Sequence, residues 1–149
     1  MSMRIAGLIL VTLLLLCSVS GALAAEDSRG YIHISSMQVR FSGTDATVDL
    51  FYDLDFFGDM YVFALGSRHL KPEFESFFYD FEEVKVIELG RSHSRFLLKN
   101  VSRESENFYL HDEKKLGRQV DSLVVTYPTG SSKAMGSTDS IPNLFYEKQ

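Results

Sequence analysis

Hydrophobic side chains are concentrated in the middle of the chain, between Asp55 and Glu83. Seven of the twelve phenylalanines lie in this stretch. A large aromatic side chain buries on the order of 150–250 Å², so the stretch is expected to form the centre of the core. Its second half places five apolar residues on one stripe of a 3.6-residue period, namely Leu70, Phe74, Phe77, Phe78 and Phe81. With Pro72 in the first turn, the pattern predicts a helix over residues 72–81.

The first half of the stretch is apolar almost all round, so its periodicity alone does not separate helix from buried strand. The run Tyr61-Val62-Phe63 would suit a strand. Asp55, however, can cap a helix N-terminus, and Gly66 can supply the left-handed residue after a C-terminus. The two caps favour a short helix over residues 56–65.

Alternating apolar and polar residues on both sides of this stretch predict strands. Residues 31–41 and 46–54 alternate across a turn at Gly43 and form a hairpin. Further strands are predicted over residues 84–89, 94–101, 107–111 and 120–127. Residues 112–118 are charged and contain Gly117, and they are interpreted as a loop or a single helical turn. Residues 131–149 are expected to give one short edge strand and a docked tail.

This order of elements predicts an α+β fold rather than alternating α/β. We expect a mainly antiparallel sheet of about six strands in the order ββ-αα-ββββ, with a short helical pair (about 56–65 and 72–81) packed on it. The helices could cover one face of the sheet or fill the end of a sandwich. Residues 25–149 are long enough for one domain and too short for two.

The N-terminus has the pattern of an export signal. Arg4 precedes an apolar run from residue 5 to 17, and Ala22-Leu23-Ala24 gives the small-x-small pattern of a cleavage site. Residues 1–24 are therefore interpreted as a signal peptide. The alternative is an uncleaved membrane anchor, because residues 5–25 approach the ~20 residues that span a bilayer. In either case the domain is expected outside the cytoplasm, secreted or anchored. If the segment is uncleaved, membrane contact is expected only through residues 5–25.

Composition excludes several classes of site from the exported part. Cys17 is the only cysteine and lies in the leader, so disulfides, thiolate nucleophiles and cysteine-bound metals are excluded from residues 25–149. The full chain carries a net charge of −5, and loss of Arg4 with the leader makes it −6. An acidic domain lacks the basic footprint that nucleic acid requires. No cofactor is predicted.

Three carboxylates after the hairpin partly match a calcium loop. Asp53, Asp55 and Asp59 occupy positions one, three and seven, and Gly58 occupies position six. Position five is Phe57 and position twelve is Ala64, where the loop needs oxygen ligands. The stretch is better interpreted as a strand-to-helix junction capped by Asp55.

Two groups of residues could line a ligand site. His111 and Asp112 place an imidazole beside a carboxylate. Arg91, His93 and Arg95 alternate, so a strand would present all three on one face, where they could hold an anionic group. Each group also has a simpler interpretation. His111 would be a surface histidine in a charged turn, and the Arg91, His93 and Arg95 face would be a charged turn that keeps a sheet edge from pairing.

Asn100-Val101-Ser102 is an N-glycosylation sequon at a predicted strand-to-loop boundary. Because the chain is expected to be exported, a glycan at Asn100 is a further prediction.

The sequence therefore favours a non-enzymatic, exported interaction or structural domain of the cell envelope, with another protein or an envelope polymer as partner. Part of the aromatic set is the expected contact patch, with Phe56, Phe57, Phe77 and Phe78 as its candidates. The alternative is an extracytoplasmic small-ligand-binding protein or hydrolase that uses His111 and Asp112 together with the Arg91, His93 and Arg95 face.

Overall fold

The computed structural model describes residues 30–148. The predicted signal peptide or anchor lies outside the described residues. The first half of the described chain forms strands β1 (Ile32–Ser42) and β2 (Asp45–Leu54), helix α1 (Phe56–Leu65), a 3-10 helix (Ser67–Leu70) and helix α2 (Lys71–Phe77).

Nine strands follow the helices in the described part of the chain. They are β3 (Glu83–Leu89), β4 (His93–Lys99), β5 (Arg103–Glu104), β6 (Phe108–His111), β7 (Lys114–Val120), β8 (Leu123–Thr126), β9 (Ser132–Met135), β10 (Thr138–Ile141) and β11 (Leu144–Glu147). The molecule is a mainly antiparallel α+β fold with two short helices on the sheet, which confirms the predicted class.

The main sheet has six strands in the order β3-β4-β2-β1-β8-β9. Its pairs are antiparallel except β1 with β8, which run parallel. The predicted hairpin is β1–β2, and its register shifts between Ile34 and Ser36. This bulge turns Ile34 and Met37 to the same buried face, since one extra residue reverses the alternation of a strand.

Helix α2 covers the buried face of the main sheet. The Phe74 ring lies 5.2 Å from the Tyr52 ring and 5.1 Å from the Phe96 ring, and Phe78 also lies 5.1 Å from Phe96. The prediction that this helix extends to Phe81 was wrong, because α2 ends at Phe77 and a turn follows. The apolar period continues past Phe77 because Phe78 and Phe81 are buried in that turn, where the chain reverses into β3.

Two small sheets complete the fold, and the sequence did not predict them. A β10–β7 pair packs against α2 and β1 through β7, so residues 114–118 are strand where a loop or a single helical turn was expected. The sheet β11-β6-β5 covers the Gly43 turn, where the Tyr146 hydroxyl donates to the Gly43 carbonyl at 2.7 Å. The C-terminal region therefore forms three strands instead of one edge strand and a tail.

The hairpin gives the molecule two distinct ends. The Gly43 turn, with the three-stranded sheet over it, lies at one end, and α1 follows Leu54 at the other. Strand β2 has ten residues, and at about 3.3 Å per residue it separates these ends by roughly 30 Å.

Candidate interaction surface

Helix α1 is defined by its two caps, as the sequence predicts. The Asp55 side chain accepts a hydrogen bond from the Gly58 N–H at 2.7 Å. At the other end Gly66 has φ 85°, and its N–H donates to the Val62 carbonyl at 2.8 Å. The caps satisfy terminal backbone groups, so the helix forms here although few of its side chains are buried.

The inner side of α1 carries small residues. Gly58 and Val62 are the buried residues of this helix. Gly58 lies against Tyr31, whose carbonyl also accepts a hydrogen bond from the Asp55 N–H at 2.9 Å. Because glycine and valine reach only a short distance, the helix axis stays close to the start of β1.

The outer side of α1 carries the large apolar residues. Each of six is at least half exposed, from 50% for Leu65 to 86% for Phe63. We call the following six residues the aromatic surface: Phe56, Phe57, Met60, Tyr61, Phe63 and Leu65. At about 100° per residue they fill an arc of roughly 200°, and no residue on that arc is charged. A surface helix normally turns its polar side to water, so the usual pattern is reversed.

Polar contacts fix the flank of α1. Arg91, in the turn between β3 and β4, donates from Nε to the Asp59 carboxylate at 2.6 Å and bonds its second oxygen through a terminal nitrogen. The Ser67 hydroxyl donates to the Leu89 carbonyl at 2.8 Å and holds the chain that leaves the helix. The aromatic surface is therefore carried on an anchored element.

A cleft of about 500 Å³ runs between α1 and the start of α2. It is lined mainly by apolar and aromatic groups, from Tyr31, Phe57, Gly58, Tyr61, His69, Pro72 and Glu73. The Glu73 carboxylate accepts a hydrogen bond from Arg118 at 2.9 Å, so the charge in the cleft is already paired. Burial and the neighbouring Glu73 raise the pKa of Tyr31. The cleft could therefore hold an apolar group of a binding partner through packing contacts.

His93 and Arg95 lie on the outer face of the main sheet and converge on Asp49. Arg95 Nε donates to Asp49 Oδ1 at 2.6 Å, His93 Nε2 lies 3.0 Å from the same oxygen, and Arg40 pairs with the other. Burial raises the pKa of Asp49, but the bonds from Arg95 and His93 and the charge of Arg40 lower it more, so the net pKa is below the usual value. The cluster stabilises a buried carboxylate.

His111 lies in the three-stranded sheet at the opposite end of the molecule. Its Nδ1 lies 2.6 Å from the Val101 carbonyl, which can only accept, so Nδ1 carries the proton. Nε2 is buried without a hydrogen-bond partner among the described residues. Burial lowers the pKa of His111, which keeps the imidazole neutral. Asp112, beside it, pairs with Arg103 at 2.8 Å.

The structure does not bring the five predicted ligand-binding residues together. Arg91 pairs with Asp59, whereas His93 and Arg95 bind Asp49. His111 and Asp112 line a separate depression that includes Arg103, Leu110, Asn143, Leu144 and Phe145.

The three carboxylates of the suggested calcium loop also have separate roles. Asp55 caps α1 and Asp59 pairs with Arg91, while Asp53 is an exposed residue of β2. Within residues 30–148, no group of three or more metal-binding side chains is close enough to hold an ion.

The prediction that Phe77 and Phe78 belong to an exposed contact patch was wrong, because both are buried. Phe56 and Phe57 are 75% and 70% exposed, but Phe77 and Phe78 are buried at 1%. The latter two fill the space between α2 and the sheet, where the T-shaped Phe77–Phe78 pair has ring centroids 4.8 Å apart. The predicted patch did not include four exposed residues of α1, namely Met60, Tyr61, Phe63 and Leu65. The signal for them was that this helix is apolar almost all round, so that part of its apolar surface had to be exposed.

Asn100 lies at the turn that follows β4, with φ 52° and an exposed side chain. Its backbone N–H donates to Asp45 at 3.1 Å. The other sequon residues are buried, and the Ser102 hydroxyl donates a hydrogen bond to the Tyr146 hydroxyl oxygen at 2.9 Å, since the one proton of Tyr146 goes to the Gly43 carbonyl. Glycosylation at Asn100 stays a prediction.

None of the helices between residues 30 and 148 has the length and apolar character needed to cross a membrane. Comparisons with protein-family models, with curated proteins and with solved structures found no match for this chain.

Proposed function

We propose that this protein is an exported, non-enzymatic interaction domain whose contact element is α1. The observation that supports this most is the reversal of the helix: its small residues face the domain and its large apolar residues face water. Exposed apolar patches of this kind mark sites of contact with other molecules.

The exposed area is large enough to drive association. Fully covering a large apolar side chain contributes about 1.5–3 kcal/mol. Six side chains that are each half or more exposed therefore offer on the order of 5–10 kcal/mol, from which the entropy lost on association must be subtracted. A free energy in this range is enough for a reversible contact that is driven by apolar burial alone.

The helix is also held in place before any contact is made. The Asp55 and Gly66 caps define its length, and the Asp59–Arg91 pair fixes its flank. A preorganised surface loses less entropy when it binds than a flexible segment does. This supports a docking element over an unfolded hydrophobic tail.

A photocrosslinking experiment tests the proposal. A benzophenone amino acid replaces Phe63 in one variant and Phe145 in a matched control, in cells that produce the protein. Phe63 and Phe145 are 86% and 71% exposed, but Phe145 lies on β11 at the Gly43 end. We expect adducts with a protein or a lipid from position 63 and few from position 145.

A double variant, Phe57→Ser with Phe63→Ser, tests whether the adducts depend on the aromatic surface. Both side chains are exposed, so we expect an unchanged melting temperature. A third variant that carries these substitutions with the crosslinker at position 60 should lose the adducts. If position 63 gives no adduct in the native chain, or if position 145 gives as many, α1 is not the contact element.

A further inference from the structure

We infer that the surface contacted by α1 is a lipid bilayer, in whose interfacial region the helix lies with its aromatic surface inserted. This inference rests on the proposed function and specifies the partner. It depends on the composition of the outward arc, on the place where the N-terminal segment joins the domain and on the two-ended shape of the hairpin.

The outward arc has the composition of a membrane-facing helix. Phenylalanine, tyrosine, methionine and leucine occupy its large positions, and none of its residues is charged. The arc of a protein-binding helix normally carries polar groups that pair around an apolar centre. An outward arc whose polar side-chain group is the Tyr61 hydroxyl alone suits a lipid interface, because tyrosine buries its ring in the apolar layer and keeps its hydroxyl at the water.

Charged residues occur at the borders of the aromatic surface. Arg91 lies beside α1 through its pair with Asp59, while Arg68 and Lys71 follow the C-terminus of the helix and are exposed. Long basic side chains at the edge of an inserted helix can reach lipid headgroups. Because Arg91 pairs with Asp59 and Lys71 lies 3.5 Å from Glu75, these side chains add groups that can reach lipid headgroups rather than a net positive charge.

The N-terminal segment joins the domain next to α1. Tyr31 contacts Gly58 of the helix, and Gly30 is the first described residue. In the sequence, only four residues separate the candidate anchor, residues 5–25, from Gly30. An extended chain spans at most about 3.3–3.6 Å per residue, so this connection reaches less than about 20 Å. If residues 5–25 enter a bilayer, α1 must lie close to its surface.

The remaining end of the molecule points away from the membrane in this arrangement. The Gly43 turn and the three-stranded sheet with Phe145 are separated from α1 by the length of β2, roughly 30 Å. An inserted α1 therefore predicts contact with lipid at Phe63 and none at Phe145.

Tryptophan fluorescence tests this prediction directly, because the chain contains no tryptophan. The full chain is made as two single variants, Phe63→Trp and Phe145→Trp, and reconstituted into phosphatidylcholine vesicles with or without bromine on the upper acyl chain. Interfacial helices insert by about 5–10 Å, so we expect bromine to quench roughly half of the emission at position 63. Emission at position 145 should not change.

A second probe, Phe57→Trp, covers the case in which tryptophan at position 63 disturbs the helix, and it should be quenched as well. Equal quenching at positions 63 and 145, or no quenching at positions 57 and 63, would overturn the lipid inference. An unquenched position 63 that still forms protein adducts in cells leaves the proposed function standing with a protein partner. The absence of both signals removes both proposals.

Discussion

The ring of Tyr31 lies directly against the backbone of Gly58: a Cβ added at Gly58 would stand 2.8 Å from Tyr31 Cδ2 and 3.2 Å from the Tyr31 carbonyl oxygen. This contact joins α1 to the first strand. It also explains why a residue with poor helix propensity lies within a ten-residue helix, since a larger side chain would displace the helix from the domain.

We expect Gly58→Ala to destabilise the domain. Alanine improves helix propensity by about 1 kcal/mol over glycine, but forcing a methyl group into a filled site costs about 1–3 kcal/mol. The net loss should be about 1 kcal/mol by chemical denaturation. In a Tyr31→Ala background the same substitution should be less harmful. An equal effect in both backgrounds would show that the ring does not determine the requirement for glycine.

The Asp55 cap gives a second prediction. Asp55→Ala should lower the free energy of unfolding by about 1 kcal/mol, whereas Asp55→Asn should retain nearly all of it, because asparagine caps as well as aspartate. Since Asp55 bonds Gly58 and Asp59 bonds Arg91, millimolar calcium should leave the melting temperature unchanged. A melting temperature that rises with calcium and falls with a chelator would restore the calcium loop.

Asp49 should make the domain sensitive to strong acid. Its pKa is lowered in the folded state, so its contribution is present above the unfolded value of about 3.9 and is lost as pH falls through the folded value. Asp49→Asn should remove about 2 kcal/mol at pH 7 by leaving three basic groups without their carboxylate. Urea titrations at pH 7 and pH 3 should show a smaller difference for the variant than for the native chain.

His111 should make the stability of the domain depend on pH nearer neutrality than Asp49 does. Because burial lowers its pKa in the folded state, its neutral form favours folding above the unfolded value of about 6.5, and stability falls as pH drops below it. His111→Phe keeps a ring beside Phe41 and should flatten the stability curve between pH 7.5 and 5.5. The matched control is His33→Gln on the surface. A control that flattens the curve as much would place the titration elsewhere.

The fold was predictable where local signals agree with tertiary packing. The caps at Asp55 and Gly66 lie where the sequence places them, and they identified α1 as a helix when periodicity could not. The β1–β2 hairpin was likewise evident from alternation around Gly43. In these segments the residue types and the surrounding structure favour the same conformation.

Strand β7 shows why the rest could not be predicted. Its charged residues and Gly117 resemble a turn, yet a Cβ at Gly117 would stand 2.5 Å from the Ser76 carbonyl oxygen. The glycine is needed because the backbone of α2 approaches the strand closely, as can occur within strands. That requirement is created by a helix some forty residues earlier in the chain, so no local window contains it.

The candidate site was predictable only in part. The seven phenylalanines between Asp55 and Glu83 were more than one small core was expected to hide, and this predicted a contact patch. Which rings are exposed depends on the side from which α1 meets the domain. Gly58 and Tyr31 determine that orientation, and pairs such as these are not visible in residue spacing.

The parallel pairing of β1 with β8 also constrains the order in which the molecule can assemble. Strand β1 can pair with β2 once residues 45–54 have been synthesised, but its second neighbour, Leu123–Thr126, lies more than eighty residues downstream of Met37. Contacts between such distant segments form slowly. Until residues 123–126 have been synthesised, one edge of β1 in the nascent chain therefore has no strand beside it. For most of its synthesis the chain exposes backbone groups with which another extended segment can pair.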